Sequence, residues 1–187
     1  ELTVRAFEYA NTHFGTYPYP QFTTIQGGDG GMEYPMGTLI TGARNLRSLV
    51  GVTVHELYHS WYQNVLATNE ALYAWMDEGF TSFASSETMQ NLFEDTGNPH
   101  AGSMRGYQRL VESGKEEPMA THADHYHTNF AYGRAAYSKG AVYLNQIRYI
   151  IGEEAFRSGM LRYHEEWKLK HPTDLDFIRL MEKESGM

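Results

Sequence analysis

The spacing of apolar residues predicts a mostly helical chain. Val4, Phe7, Ala10 and Phe14 recur at helical intervals over residues 2–14, and Gly15 marks the end of that helix. The same spacing predicts further helices over about 46–66, 70–93, 104–111, 136–151 and 156–167, and a last one capped at Thr173 or Asp174. A polar, histidine-bearing loop is expected over about 114–130.

The segment after the first helix has a different pattern. Prolines in TYPYPQ (16–21) disfavour a helix, and FTTIQG (22–27) and GTLITG (37–42) predict two short strands around a glycine-rich bend. The predicted fold class is therefore α+β, mainly α, with a small sheet near the N-terminus.

Three ionisable side chains interrupt an apolar run in VTVHELYHSW (52–61). On a helix, His55 and His59 lie one turn apart on the same face, with Glu56 beside them. Two imidazoles at this spacing can share one Zn²⁺, while the carboxylate is close enough to handle water at the metal. The alternative is two histidines hydrogen-bonded to backbone carbonyls.

A third metal ligand is available in YAWMDEGF (73–80). Glu78 follows His59 by 19 positions, which allows the first helix to end, ATNE (67–70) to turn, and an antiparallel helix to return. Trp75 and Phe80 flank Glu78, and a buried carboxylate needs a partner; the alternative is a surface carboxylate. His55, His59 and Glu78 therefore predict one Zn²⁺ per chain, with the fourth position left to water.

Composition restricts the partners. The chain has 187 residues, 15 basic and 23 acidic, and no basic run, so nucleic acid is not expected. Without cysteine, any metal must be held by histidines and carboxylates. The longest apolar runs are only a few residues, far short of a membrane span, so no membrane contact is evident in these residues. The chain opens at Glu1 without an initiator methionine, so we expect it to be an excised piece. The absence of a signal segment in such a piece does not indicate the localisation of the parent protein.

Four motifs together resemble one known family. They are GGMEYP (30–35), HELYH (55–59), MDEGF (76–80) and YSKG (137–140). In this order and spacing the chain resembles, over nearly its whole length, the aminopeptidase N and leukotriene-hydrolase family of gluzincin zinc metallopeptidases. The resemblance implies a thermolysin-like zincin catalytic domain over 1–187, with flanking domains in a longer parent chain.

The resemblance also implies roles for individual residues. His55, His59 and Glu78 would be the zinc ligands and Glu56 the general base. Tyr137 would donate a hydrogen bond to the tetrahedral intermediate. The substrate would lie against the glycine-rich segment, where Glu33 would hold its free α-amino group; the implied substrate-binding residues are Gly30, Gly31, Met32 and Glu33.

The motifs depart from the family pattern at four positions, none of them a ligand. The family's G-A-M-E-N has Gly31 in place of Ala and Tyr34 in place of Asn. Gln63 replaces a common Gly, and Asp77 stands where Asn is common. Tyr34 bears on the details of the substrate pocket.

The predicted function is that of a zinc-dependent aminopeptidase catalytic domain, which hydrolyses N-terminal residues from peptide substrates by metal-activated water. One alternative is a thermolysin-like endopeptidase, which the presence of Glu33 disfavours. Another is a catalytically idle zinc-binding scaffold, which the presence of Glu56 disfavours. A second metal site in THADHYHT (121–128) lacks a well-oriented third ligand, so a polar loop is the simpler interpretation.

Overall fold

The chain forms a helical body with one small sheet. The computed structural model describes residues 1–28 and 30–187. Within them the α-helices are α1 (Leu2–His13), α2 (Leu46–His59), α3 (Phe80–Phe93), α4 (Ala101–Glu112), α5 (Asn129–Gly133), α6 (Gly140–Ile151), α7 (Glu153–Trp167) and α8 (Asp174–Ser185). The strands are β1 (Thr23–Gln26), β2 (Gly31–Tyr34) and β3 (Gly37–Ile40). The predicted fold class is confirmed.

The sheet has the order β1-β3-β2, with β1 parallel and β2 antiparallel to the central strand β3. Strand β2 replaces the second half of the predicted glycine-rich bend, because its glycines weaken the sequence pattern of a strand. Residues 35–36 form a tight connection between β2 and β3, whose adjoining ends, Tyr34 and Gly37, are paired. Met36 in this connection adopts a positive φ of 60°. The hairpin places β2 against α2, the helix that carries the two histidines.

Three π-helical turns adjoin the regular helices: Ser60–Val65 after α2, Trp75–Gly79 before α3, and Arg134–Lys139 before α6. Such turns are rare and frequently lie at functional sites. Two of them carry the predicted site residues Glu78 and Tyr137. Together with α2 and strand β2, they are the elements that form the site.

Several boundaries differ from the sequence-based prediction. The second long helix begins near Trp75 rather than near residue 70, because residues 69–73 form a turn. In that turn the Asn69 side chain accepts a hydrogen bond from the backbone N–H of Leu72 at 3.2 Å. The fourth helix extends beyond the predicted 104–111, and the predicted loop over 114–130 ends at the start of α5.

The main core joins the first helix to the last. Its largest fully buried side chains include Trp61, Tyr58, Phe83, Phe156 and Phe177. Because these residues come from α2, α3, α7, α8 and the π-helical turn after α2, burial of apolar surface fixes those elements relative to one another. The site is therefore built on a rigid scaffold.

Two glycines allow the site-bearing turns to cross closely. A Cβ built on Gly140 would lie 2.8 Å from the Cα of Gly79, so neither position has room for a side chain. Gly79 directly follows Glu78, and Gly140 lies three residues after Tyr137. The crossing therefore brings Glu78 and Tyr137 together.

None of the helices in residues 1–28 and 30–187 combines the length and hydropathy needed to cross a bilayer.

Candidate active site

Helix α2 presents both histidines to one cavity. Asn45 caps its N-terminus by accepting a hydrogen bond from the backbone N–H of Ser48 at 2.9 Å. Val54 and Leu57 are fully buried on the core side of the helix. The face that carries His55 and His59 lines a cavity of about 380 Å³.

The predicted ligand atoms form a compact triangle. The Nε2 atom of His55 lies 3.2 Å from Oε2 of Glu78, and the Nε2 atom of His59 lies 3.4 Å from that same oxygen. The two Nε2 atoms are 3.4 Å apart. Tetrahedral zinc with bonds of about 2.0–2.1 Å separates its ligand atoms by about 3.3–3.4 Å. The donor set therefore fits a single zinc ion.

His59 is oriented by Asp77, a buried carboxylate. Its Nδ1 donates to Oδ1 of Asp77 at 2.5 Å, and the two side chains are 1% and 4% exposed. In the neutral ring this bond leaves the Nε2 lone pair directed at the other two ligand atoms. A carboxylate behind a ligating histidine is a common arrangement at metal sites, where it fixes the ring and raises its basicity.

The charges of the triangle also suit a cation. Burial alone would raise the pKa of Glu78, but the adjacent imidazoles of His55 and His59 outweigh burial and lower the pKa to about 2. Glu78 is therefore ionised over the whole physiological pH range. A bound dication would act on its pKa in the same direction.

Glu56 lies beside the ligands, beneath strand β2. Its side chain is 6% exposed, and a Cβ on Gly31 would lie 2.9 Å from its Cδ atom. The absence of a side chain at Gly31 thus allows the β2 backbone to lie against the carboxylate. Burial raises the pKa of Glu56 to about 7, against the lowering effect of His55 and His59. A carboxylate with this pKa can both accept and return a proton near neutral pH.

Glu33 reaches the same cavity from β2. Its Oε1 lies 3.9 Å from Nδ1 of His59, and its side chain is 13% exposed. Gly31 and Met32 also line the cavity. Gly30 differs, because its N–H donates to Oγ1 of Thr41 at 2.8 Å and its carbonyl accepts from the Thr41 N–H at 2.9 Å. The main-chain polar groups of Gly30 are thus engaged within the protein.

Tyr137 contacts two of the ligand residues. Its hydroxyl donates to Oε1 of Glu78 at 2.5 Å, and its ring stacks on that of His55 with centroids 5.8 Å apart. Burial and the nearby Glu78 charge raise the pKa of Tyr137, so the phenol stays protonated and remains a hydrogen-bond donor. The predicted site residues other than Gly30 therefore share one cavity.

Three residues with polar side chains line this cavity but are not among the predicted site residues. Asp77 was noted only as a departure from a family motif, although its position directly before Glu78 was available as a signal. Glu70 and Tyr132 line the cavity as well. No sequence signal singled out these two, because their place in the cavity depends on how the loops fold.

The histidine-bearing loop supplies no second ligand set. The rings of His122 and His125 lie 4.7 Å apart. Over residues 1–28 and 30–187, however, groups of three suitable ligands occur only around His59. The loop instead contributes Ala123 to the cavity wall, where its N–H donates to the carbonyl of Ala71 at 2.8 Å.

This arrangement defines a class: an α+β helical scaffold in which two histidines and a glutamate form a candidate metal centre, with a further carboxylate beside them. Comparison with family models gives the particular family. The model of the Peptidase family M1 domain matches residues 1–187, and the chain belongs to that family.

Curated relatives carry aminopeptidase names. Aminopeptidase M1-B of Oryza sativa subsp. japonica is 25% identical over 100% of this chain and 23% of its own length. Aminopeptidase B of Rattus norvegicus is 27% identical over 80% of this chain and 24% of its own length. The chain thus spans about a quarter of the length of these relatives.

Solved structures share the fold. A mutant M1 zinc metallopeptidase from Deinococcus radiodurans, bound to a Tyr-Ser-Ala substrate, superposes with a TM-score of 0.81 at 20% identity, over 99% of this chain and 41% of that one. Yeast LTA4 hydrolase in complex with bestatin gives 0.81 at 19% identity, over 97% of this chain and 31% of that one.

Proposed function

We propose that residues 1–187 are the thermolysin-like catalytic domain of a zinc-dependent aminopeptidase. The observation that carries the proposal is the single cavity that contains the ligand triangle, Glu56 and Glu33. Membership of the M1 family and the aminopeptidase names of the relatives support it. In a longer chain, flanking domains would complete the cleft around this domain.

One zinc ion per chain is the stoichiometry that the geometry favours. The other group of possible ligands, Glu33, His59 and Asp77, shares His59 with the triangle. There the Nδ1 atom of His59 is already hydrogen-bonded to Asp77. A second ion would have to displace that proton, so the triangle formed with Nε2 is the better site.

Zinc, when bound, would supply an activated water molecule and polarise the scissile carbonyl group. Glu56 would accept a proton from that water and return it to the nitrogen of the departing amine. Tyr137 would donate its phenolic hydrogen to the oxygen on which negative charge develops, a contact that is strongest in the transition state. Its present bond to Glu78 holds the phenol at the ligand triangle.

Glu33 would determine that cleavage occurs at the amino end of the peptide. Its mostly buried carboxylate would pair with the α-ammonium group of the first residue, close to His59. Strand β2 would offer backbone groups to an extended peptide, as an added strand does. A thermolysin-like endopeptidase would have no use for a carboxylate at this position.

The experiment compares free and N-acetylated versions of the same peptides with the zinc-loaded full-length protein. Acetylation removes the positive charge and adds bulk, so only the free-amine peptides should be cleaved, from the N-terminus. Glu33→Ala should lower kcat/KM for them by about ten- to a hundredfold without loss of zinc. Glu8→Ala, an exposed carboxylate on α1, is the matched control. Internal fragments from acetylated peptides would overturn the proposal in favour of an endopeptidase.

A further inference from the structure

A second cavity adjoins the proposed active site. Tyr137 lines both, and the second has a volume of about 300 Å³. Its wall includes Arg134 from the same π-helical turn as Tyr137, Ser82 and Ser86 from α3, and Ser103 from α4. A ligand longer than the active-site cavity could thus extend past Tyr137 into a polar space.

The two cavities carry opposite charge. The side chains lining the first include five carboxylates and neither lysine nor arginine. The second is lined by five serines and the guanidinium of Arg134, without a carboxylate. The charges of a peptide are complementary to this arrangement. Its ammonium group suits the acidic first cavity, and its carboxylate suits the second.

Arg134 is available to an incoming anion. Its side chain lies against the backbone of α4, where a Cβ on Gly106 would be 3.3 Å from Nη1 of Arg134. The Cζ atom of Arg134 is 5.9 Å from the centre of the Phe130 ring. In the described part of the chain, the Arg134 side chain makes no ion pair and no hydrogen bond. Arg148 and Arg157, in contrast, are both bound to the buried Glu87. A guanidinium with unused donors matches a carboxylate in geometry and charge.

Helix α4 adds to the positive potential. Gly102 and Ser103, in its first turn, line the same cavity. That turn contains no acidic residue, and no side chain caps it. Because the N-terminus of a helix carries a partial positive charge, this turn favours an anion in the cavity.

We propose that Arg134 binds the C-terminal carboxylate of a short peptide whose amino end lies in the active-site cavity. This role rests on the proposed aminopeptidase function. The substrates of that function would be peptides of a few residues with a free C-terminus. Arg134 is a specificity-determining residue, and the serines and the α4 N-terminus assist it.

The test uses the zinc-loaded full-length protein and the tripeptide Tyr-Ser-Ala, as the free acid and as the C-terminal amide. The wild type should prefer the free acid by about tenfold or more in kcat/KM. Arg134→Gln should reduce that ratio to below about threefold, mainly by raising KM for the free acid. Arg134→Lys, which retains the charge without the planar fork, should keep an intermediate ratio.

Arg109→Gln is the control, because this exposed residue of α4 lines neither cavity. This variant should leave kcat/KM for the free acid, kcat/KM for the amide and the ratio of the two unchanged. Equal kcat/KM for acid and amide in the wild type, or an undiminished ratio in Arg134→Gln, would overturn the inference. Because tyrosyl p-nitroanilide has no C-terminal carboxylate, its turnover reports the aminopeptidase reaction alone. If the anilide is turned over but the free-acid tripeptide is not preferred to its amide, only the role of Arg134 is refuted. If no free-amine substrate is turned over, the proposed function itself is refuted.

Discussion

At the scale of single residues, the proposed metal centre depends on groups that do not touch the metal. Asp77 binds Nδ1 of His59 from inside the core, and this bond leaves Nε2 free as a ligand atom. The buried pair constrains the ring, so the metal does not have to order it on binding. The hydrogen bond between Asp77 and His59 should therefore contribute to zinc affinity.

We expect Asp77→Ala to weaken zinc binding by about ten- to a hundredfold, the usual effect of removing such a partner. Asp77→Asn should retain most of the affinity, because the amide oxygen can still accept the hydrogen bond from Nδ1. Competition with a fluorescent chelator measures both. Unchanged affinity in Asp77→Ala would show that the metal orients His59 without help.

Glu56 and His59 can be separated by their different roles. Glu56→Gln should retain one equivalent of zinc yet lose about 10²- to 10⁴-fold in kcat, since an amide cannot accept the proton from water. His59→Ala should lose the zinc itself. Elemental analysis beside single-turnover kinetics distinguishes the two variants. Near-normal turnover in zinc-loaded Glu56→Gln would exclude Glu56 as the base.

At the scale of elements, the site depends on the crossing of two π-helical turns. Gly79 and Gly140 meet at that crossing with no space for a side chain. The nearest atoms around a Cβ on Gly140 include the carbonyl oxygen of Trp75, at 3.3 Å. Because the obstructing atoms belong to the backbone, a side-chain rotation cannot relieve the overlap.

Gly140→Ala should therefore destabilise the protein by about 1–3 kcal/mol and separate Glu78 from Tyr137. Gly133→Ala is the matched control, because a Cβ there meets no atom within 4 Å and alanine favours a helix. Urea unfolding of both variants gives the stability, and zinc affinity reports the site. Equal stability of the two variants would mean that the crossing can widen at no cost.

At the scale of the whole molecule, a buried ionic cluster joins four helices. Glu87 of α3 is 5% exposed and binds Arg148 of α6 and Arg157 of α7. His100, at the start of α4, lies 3.6 Å from its Oε1. Burial alone would raise the pKa of Glu87, but the nearby His100, the hydrogen bond from Arg157 and the charges of both arginines lower it to about 2.

This cluster predicts a loss of stability in acid. Because the pKa of Glu87 in the folded state lies below its value of 4.5 in the unfolded chain, the stabilisation is complete above pH 4.5 and is lost toward pH 2. Its size is about 3 kcal/mol at neutral pH. The free energy of unfolding of the 187-residue chain should accordingly decrease as the pH falls through this range.

Glu87→Gln should lower stability at pH 7 by about 3–5 kcal/mol, since two arginines lose their buried partner. The difference from the wild type should shrink as the pH approaches 3. The exposed Glu154→Gln serves as the control, with little effect at either pH. Urea titrations at several pH values measure all three proteins, and a pH-independent difference would exclude the titration of Glu87 as the cause.

Local sequence patterns were sufficient to predict the fold class and the family, and they indicated most of the proposed site. Helical periodicity is a local property, so α1, α2 and α6–α8 could be predicted from the apolar spacing, with errors only near their ends. The spacing of His55 and His59 on one helix fixes their common face without reference to the rest of the molecule. Family membership, now confirmed by the family model, came from four motifs in order.

The remaining features depend on contacts between distant segments, which exist only in the folded chain. Strand β2 exists because β3 pairs with it, which a glycine-rich sequence does not reveal. The bond between Asp77 and His59, the crossing at Gly79 and Gly140, and the cavity shared by Tyr137 and Arg134 all join segments far apart in the chain. Spacing along the chain cannot predict them, because they depend on how the core packs the elements together.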